Sequence, residues 1–162
     1  MTLVLYRIDD RLIHGQVVVG WGQAMDIEFI VLVDDAVATS EWEQELYRMG
    51  VPPEMEVFFH TVTDATGNLD VYRRERRRGI LLTGDVRSMA CLVTAGGIPS
   101  VNVGGVHHRP GRVQRLRYVF LTPDEERQLR EIASRGVEVS AQDVPGAWPV
   151  PLDQLLTSHG EA

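Results

Sequence analysis

The chain has 162 residues, 44% of them hydrophobic and 24% charged, with a net charge of −7. That length and composition suit one ordered domain spanning 1–162 and exclude a disordered chain, while the acidic balance disfavours a nucleic-acid or anionic-membrane binder. A lone Cys91 cannot form an internal disulfide, no apolar run approaches membrane-spanning length and no basic-then-apolar leader opens the chain, so a cytoplasmic protein without direct membrane insertion is expected.

Short apolar runs alternate with helical patterns. A strand near 2–8 leads to a helix over 15–25, then strand 28–34, helix 40–49, strand 55–60, helix 63–78, strand 79–83, helix 85–95 and strand 99–103. The alternation predicts an α/β fold: a single-domain, open, mainly parallel sheet with helices on both faces. Ser40 with Glu43 reads as a capping box, and Thr122-Pro123-Asp124-Glu125 as another, with Pro at the first helical position. Residues 104–121 break the pattern, with Gly104, Gly105, Pro110 and Gly111 indicating a loop or hairpin and Arg115 to Leu121 an additional strand. Gly136 stands where a helix C-cap belongs, before a strand Val137 to Ser140. A Pro-punctuated stretch, 144–151, precedes a short apolar helix around Leu152 to Leu156.

The segment Arg7-Ile8-Asp9-Asp10-Arg11-Leu12-Ile13-His14-Gly15-Gln16-Val17 places a histidine where a strand's carboxyl end meets a helix's amino end. The free N–H groups and positive dipole end of such a helix favour an anion. Arg11, three residues upstream, offers a planar fork suited to phosphate oxygens. His14 is therefore the candidate nucleophile, one whose imidazole is itself phosphorylated, against the alternative of a helix-start histidine that only caps or packs. Arg11 would hold the phosphoryl oxygens, or else be a surface arginine paired with Asp9 or Asp10. Asp10 would hydrogen-bond the His14 ring or fix Arg11, or else shape the loop as an Asx turn. Gly15 and Gln16 offer backbone N–H donors. Thr83, ending the fourth strand, is either a weaker hydroxyl donor to phosphate or the N-cap of helix 85–95. Asp34 and Asp35 read as capping and loop residues, and His107-His108 as loop histidines rather than metal ligands. Neither a dinucleotide fingerprint nor a P-loop is present, and the chain has no lysine.

The segment around His14 resembles the active-site signature of the IIB domain of mannose/fructose/sorbose-type sugar phosphotransferase systems. The resemblance continues through Val31-Leu32-Val33-Asp34-Asp35-Ala36-Val37-Ala38, Met49-Gly50-Val51-Pro52-Pro53, Val101-Asn102-Val103-Gly104-Gly105 and the stretch Leu121 to Val144, in order and over nearly the whole chain. It implies a phosphocarrier. His14, through Nδ1, would accept a phosphoryl group from a histidine of a IIA partner and pass it to a sugar bound by the membrane subunits IIC and IID. No metal, nucleotide or organic cofactor is implied, because the phosphate arrives activated on protein. Membrane association would come through IIC and IID.

Charge is segregated. Residues 70–117 hold ten of the sixteen arginines against three acids, Asp70, Glu75 and Asp85. One cationic face could steer an acidic partner, with Arg109 and Arg112 as the docking candidates. The run Arg73 to Arg78 closes the helix predicted over 63–78, where cations complement the dipole. An alternative is an orphan regulatory or interaction protein of the same fold that responds to phosphorylation without serving a transporter.

Overall fold

Every residue of Phe29–Val33 and of Gly79–Thr83 is buried, as expected of strands covered on both faces. In this computed structural model, which describes residues 2–160, they are β2 and β4 of a seven-stranded sheet. Met1, Glu161 and Ala162, the ends of the expected 1–162 unit, lie outside the described residues. The other strands are β1 (Leu3–Ile8), β3 (Glu56–His60), β5 (Ser100–Val103), β8 (Glu138–Ala141) and β9 (Val150–Pro151). Their order is β3-β2-β4-β1-β5-β8-β9, parallel except for β9.

Alternation along the strands makes two cores. Phe29, Val31, Val33 and Leu81 face one cluster, packed by α4 (Val62–Arg73), α5 (Val86–Thr94), α6 (Pro123–Ser134) and α7 (Leu152–Thr157). Ile30, Leu32, Ile80 and Leu82 face the other, packed by Val17, Val18 and Trp21 of a π-helix, Gln16–Trp21, and by Val37 of α2 (Asp35–Ala38). The expected parallel α/β fold with helices on both faces is thus the observed one. Among the described residues no helix is long and apolar enough to cross a membrane.

The helix predicted over 15–25 is wound wide, as the π-helix and then a short α-turn, α1 (Gly22–Ala24). Single π-turns of this kind recur at functional sites. Ser40 caps α3 (Glu41–Met49) by accepting from the Glu43 N–H. At α6 both halves of the capping box are present, Thr122 with Glu125. The helix predicted to 78 stops at Arg73. Arg73 and Arg74 close the helix as expected, while Glu75 accepts from the N–H groups of Arg76 and Arg77, and Arg77 reaches Glu56 at 2.9 Å, so the rest of the arginine run is a tethered loop. Residues 113–121 form a hairpin, β6 (Val113–Leu116) and β7 (Val119–Leu121), rather than one strand.

Strands β4, β2 and β3 lie on one side of β1, and β5, β8 and β9 on the other. The winding reverses at β1, and the crevice beyond its carboxyl end is where open α/β sheets bind ligands.

Candidate active site

The chain leaves β1 through a tight turn. Leu12 donates its N–H to the Asp9 carbonyl at 2.9 Å and takes φ +60°, a left-handed conformation costly for leucine. Its side chain is buried, and a Cβ on Gly84 would come 2.9 Å from Leu12 Cδ2. Apolar burial and a bare glycine thus hold the turn, which delivers His14 to the mouth of the π-helix.

Asp9 is the hub. Fully buried, it lies 3.2 Å from Arg7 Nη2 and 3.2 Å from His14 Nε2, both through Oδ2. Its Oδ1 accepts from the Arg11 backbone N–H at 3.2 Å and from Arg11 Nε at 3.3 Å. Burial pushes the carboxyl up, but the contacts with His14 and Arg11 and the charge of Arg7 outweigh it, holding Asp9 well below the usual carboxylate range. Arg7 is itself buried, which lowers its pKa against the opposing pull of Asp9. Its guanidinium is enclosed by Asn102 Oδ1, by the Gln142 and Asp143 carbonyls at 2.8 and 3.1 Å, and by the Trp21 ring. A Cβ at Gly104 would overlap that guanidinium, which explains a glycine at this place in Val-Asn-Val-Gly-Gly.

His14 presents its two ring nitrogens to different surroundings. Nε2 faces the Asp9 carboxylate, close but off the line of a good hydrogen bond. Nδ1 accepts from the Gln16 backbone N–H at 3.3 Å, a long bond at the helix N-terminus. A proton on Nε2 lies toward the Asp9 charge and leaves the Nδ1 lone pair toward the end of the helix that favours anions. Arg11 is over a third exposed, and its Nη2 donates to Gln16 Oε1 at 2.8 Å, so a guanidinium stands beside that end. Gly15 has open space where a Cβ would be, so close approach by an anion meets no side chain.

The expected partner of His14, Asp10, is elsewhere. Asp9 takes that place, because it continues the inward side of β1 while Asp10, one residue on, turns to the opposite side. Asp10 accepts from the His107 backbone N–H at 2.7 Å and meets His107 Nδ1 at 2.6 Å. Gly105, between them, allows this: a Cβ there would lie 3.1 Å from His107 Cε1 and 3.4 Å from both Arg11 Nη2 and Asp9 Oδ1.

Thr83 fills neither expected role. It is fully buried, its hydroxyl donates to the Asp85 carbonyl, and Asp85 itself caps α5 by accepting from Ser88. Asp34 caps α2, and Asp35 accepts from the Val62 N–H at 2.9 Å, as their capping and loop reading expects. Arg112 is not free for docking. Only 7% of its side chain is exposed; it forms a two-pronged pair with Glu125 at 3.0 and 2.7 Å and donates to the His107 carbonyl. Arg109 is exposed at the tip of the same loop. The side chains of His107 and His108 diverge, to Asp10 and to the edge of Phe120, and no metal-type cluster of three or more His, Cys, Asp or Glu occurs among the described residues.

Arg7 has no role among the sequence-based expectations and Asp9 only that of a possible partner of Arg11, a pairing present here at 3.3 Å; the signal for their joint placement is nonetheless in the sequence. They are two apart at a strand end, hence on one side of it, with the apolar Ile8 between.

Residues 3–162 match the family described as PTS system sorbose subfamily IIB component. The N-acetylgalactosamine-specific phosphotransferase enzyme IIB component 1 of Escherichia coli K12 is 35% identical, over 90% of this chain and 92% of its own. The mannose-specific EIIAB component of the same organism is 32% identical over 89% of this chain, which spans 45% of that longer protein. The crystal structure of the IIBSor domain of the sorbose permease from Klebsiella pneumoniae superposes with a TM-score of 0.87 at 30% identity, covering 96% of this chain and 97% of that one.

Proposed function

The chain belongs to the sorbose-subfamily IIB components of the phosphotransferase system, and from that premise we propose that His14 is its phosphocarrier residue, charged by a phosphorylated IIA protein and discharged to a sugar held by IIC and IID subunits. The observation that carries this reading is the opposed setting of the His14 ring, with the Asp9 carboxylate at Nε2 and the Gln16 N–H at Nδ1.

In the first step the Nδ1 lone pair attacks the phosphorus of the donor's phosphohistidine. A new N–P bond forms, the donor's N–P bond breaks, and its electron pair returns to the donor imidazole. Phosphorylated on Nδ1 and protonated on Nε2, the His14 ring is cationic, and the buried Asp9 carboxylate offsets that charge. The Gln16 N–H, which loses Nδ1 as its acceptor, is placed to turn to a phosphoryl oxygen, with Gly15 N–H beside it. Arg11 exchanges its bond to Gln16 Oε1 for the phosphoryl oxygens and neutralises the transferring group. In the second step a sugar hydroxyl attacks the same phosphorus and His14 is restored.

Support for the IIA donor comes from the mannose-specific relative, whose name places IIA and IIB in one protein. The sugar is a property of the membrane partner. Arg109, exposed in the loop that follows β5, is the docking residue left by the burial of Arg112. The chain would work in the cytoplasm, reaching the membrane through IIC and IID. Incubation with phospho-IIA, read by intact mass and 15N NMR of His14, tests the reading. A single acid-labile phosphoryl group on Nδ1 is expected; a folded protein that stays unlabelled, or is labelled on another residue, overturns it.

A further inference from the structure

Adjacent aspartates grip two histidines by opposite ring nitrogens. Asp9 faces His14 at Nε2 and leaves Nδ1 to the Gln16 N–H, whereas Asp10 holds His107 at Nδ1 and leaves Nε2 unbonded. The Asp10 carboxylate also accepts the His107 backbone N–H, so both its oxygens are spent on one residue. With Nδ1 as the donor to that carboxylate, a neutral His107 has its proton on Nδ1 and a bare lone pair on Nε2. No described residue bonds Nε2. The ring is 53% exposed, against 17% for His14. Its Cε1, the atom between the two nitrogens, abuts Gly105 within the volume that Arg11 Nη2 and Asp9 Oδ1 also border. From the other side, Arg112 fixes the His107 carbonyl at 2.8 Å and is anchored on Glu125. A loop histidine with no chemical part would have little use for a carboxylate at its ring, a second bond at its backbone and a buried arginine behind it.

We propose that His107 is the general base of the second phosphoryl transfer, an inference that rests on the phosphocarrier role of His14. The acceptor is an alcohol, and its hydroxyl carries a proton that must leave as the oxygen attacks phosphorus. The O–P bond forms, the N–P bond to His14 Nδ1 breaks with its electron pair returning to Nδ1, and the hydroxyl proton passes to His107 Nε2. Asp10 fixes the tautomer and offsets the positive charge that develops on the ring, as a carboxylate does behind a histidine base. The first transfer has an imidazole on both sides and no hydroxyl proton to remove, so it has no need of His107. That asymmetry makes the proposal testable.

The experiment separates the two half-reactions in membranes that hold the IIC and IID subunits. His107→Gln, folded as judged by circular dichroism, should be loaded on His14 by phospho-IIA at the wild-type rate. Single-turnover discharge to sugar should fall by about a hundredfold, the low end for a lost general base. Added imidazole should restore part of the discharge of His107→Gly and leave its loading unchanged. Asp10→Asn should slow discharge alone, by about tenfold, a common loss when the carboxylate behind a histidine is removed. Wild-type discharge by His107→Gln, or equal loss in both half-reactions, overturns the inference. Failure of His14 to load in the wild type overturns the reading beneath it instead.

Discussion

One oxygen of Asp9, Oδ2, stands 3.2 Å from His14 Nε2, and the same oxygen lies 3.2 Å from the buried guanidinium of Arg7. The orientation of the candidate nucleophile is therefore tied to a charge network that reaches the ends of β5 and β8. Removing His14 leaves that network paired; removing Asp9 does not.

His14→Ala should fold normally and accept no phosphoryl group from phospho-IIA. Intact mass after incubation, with circular dichroism as the control for folding, checks this. Label retained on the folded variant would move the nucleophile elsewhere.

Arg11→Ala should slow loading by about ten- to a thousandfold, the scale for losing one positioned electrostatic donor. Arg11→Lys should recover little, because a point charge replaces a fork that now spans Asp9 and Gln16. Quenched-flow transfer rates decide it, and near-wild-type rates for Arg11→Ala would reduce the residue to a surface charge.

Asp9→Asn should cost about 3 kcal/mol of stability near neutral pH, since it strands the buried charge of Arg7. The cost should depend on pH in one direction. The Asp9 carboxyl is held below its ordinary range, so its contribution is fully present above the unfolded value of about 4 and is lost as pH falls toward the lower folded value. Thermal melts of wild type and variant should converge from about pH 4 downward. Constant separation down to pH 2 would show that the network is not held by this charge.

Arg112 and Arg109 should separate cleanly. Arg112→Ala breaks a largely buried pair and should lower stability by about 2 kcal/mol. Arg109→Glu should leave stability unchanged, slow IIA association, and flatten its dependence on salt, since exposed charges are screened over about 10 Å near 0.1 M. Equal melting temperatures for Arg112→Ala and wild type would contradict its bracing role.

Gly104→Ala should destabilise by about 1 to 3 kcal/mol, the usual cost of overpacking, because the new methyl displaces the Arg7 guanidinium. Loading of His14 should slow as well, through Asp9. Chemical denaturation and the loading assay read both effects.

The α/β architecture was legible because it rests on local periodicities: strands buried on both faces read as unbroken apolar runs such as Phe29 to Val33, and amphipathic helices come between them. The place of His14 was legible for the same reason, since a strand, a turn and a helix N-terminus are neighbours in the chain. Missed features depend on what meets across the fold. The helix predicted to residue 78 ends at Arg73 because Glu75 and Glu56 capture Arg77, and Glu56 belongs to another strand. Asp9 and Asp10 are adjacent and chemically alike; strand alternation sends them to opposite sides, and the loops brought in after β5 and β8 give each its partners. Residues 142–143 enclose Arg7 beneath Asp9, while residues 105–107 carry a histidine to Asp10. Arg109 and Arg112 likewise looked equivalent until α6 placed Glu125 beside one of them. The sequence by itself determined the sheet, the two helical layers and the histidine at the head of the crevice, because backbone periodicity and capping act over a few residues. Only the tertiary structure decided which carboxylate is left to the His14 ring and which arginine stays free, because the groups that occupy the others, His107 on Asp10 and Glu125 on Arg112, are brought in by separate elements of the fold.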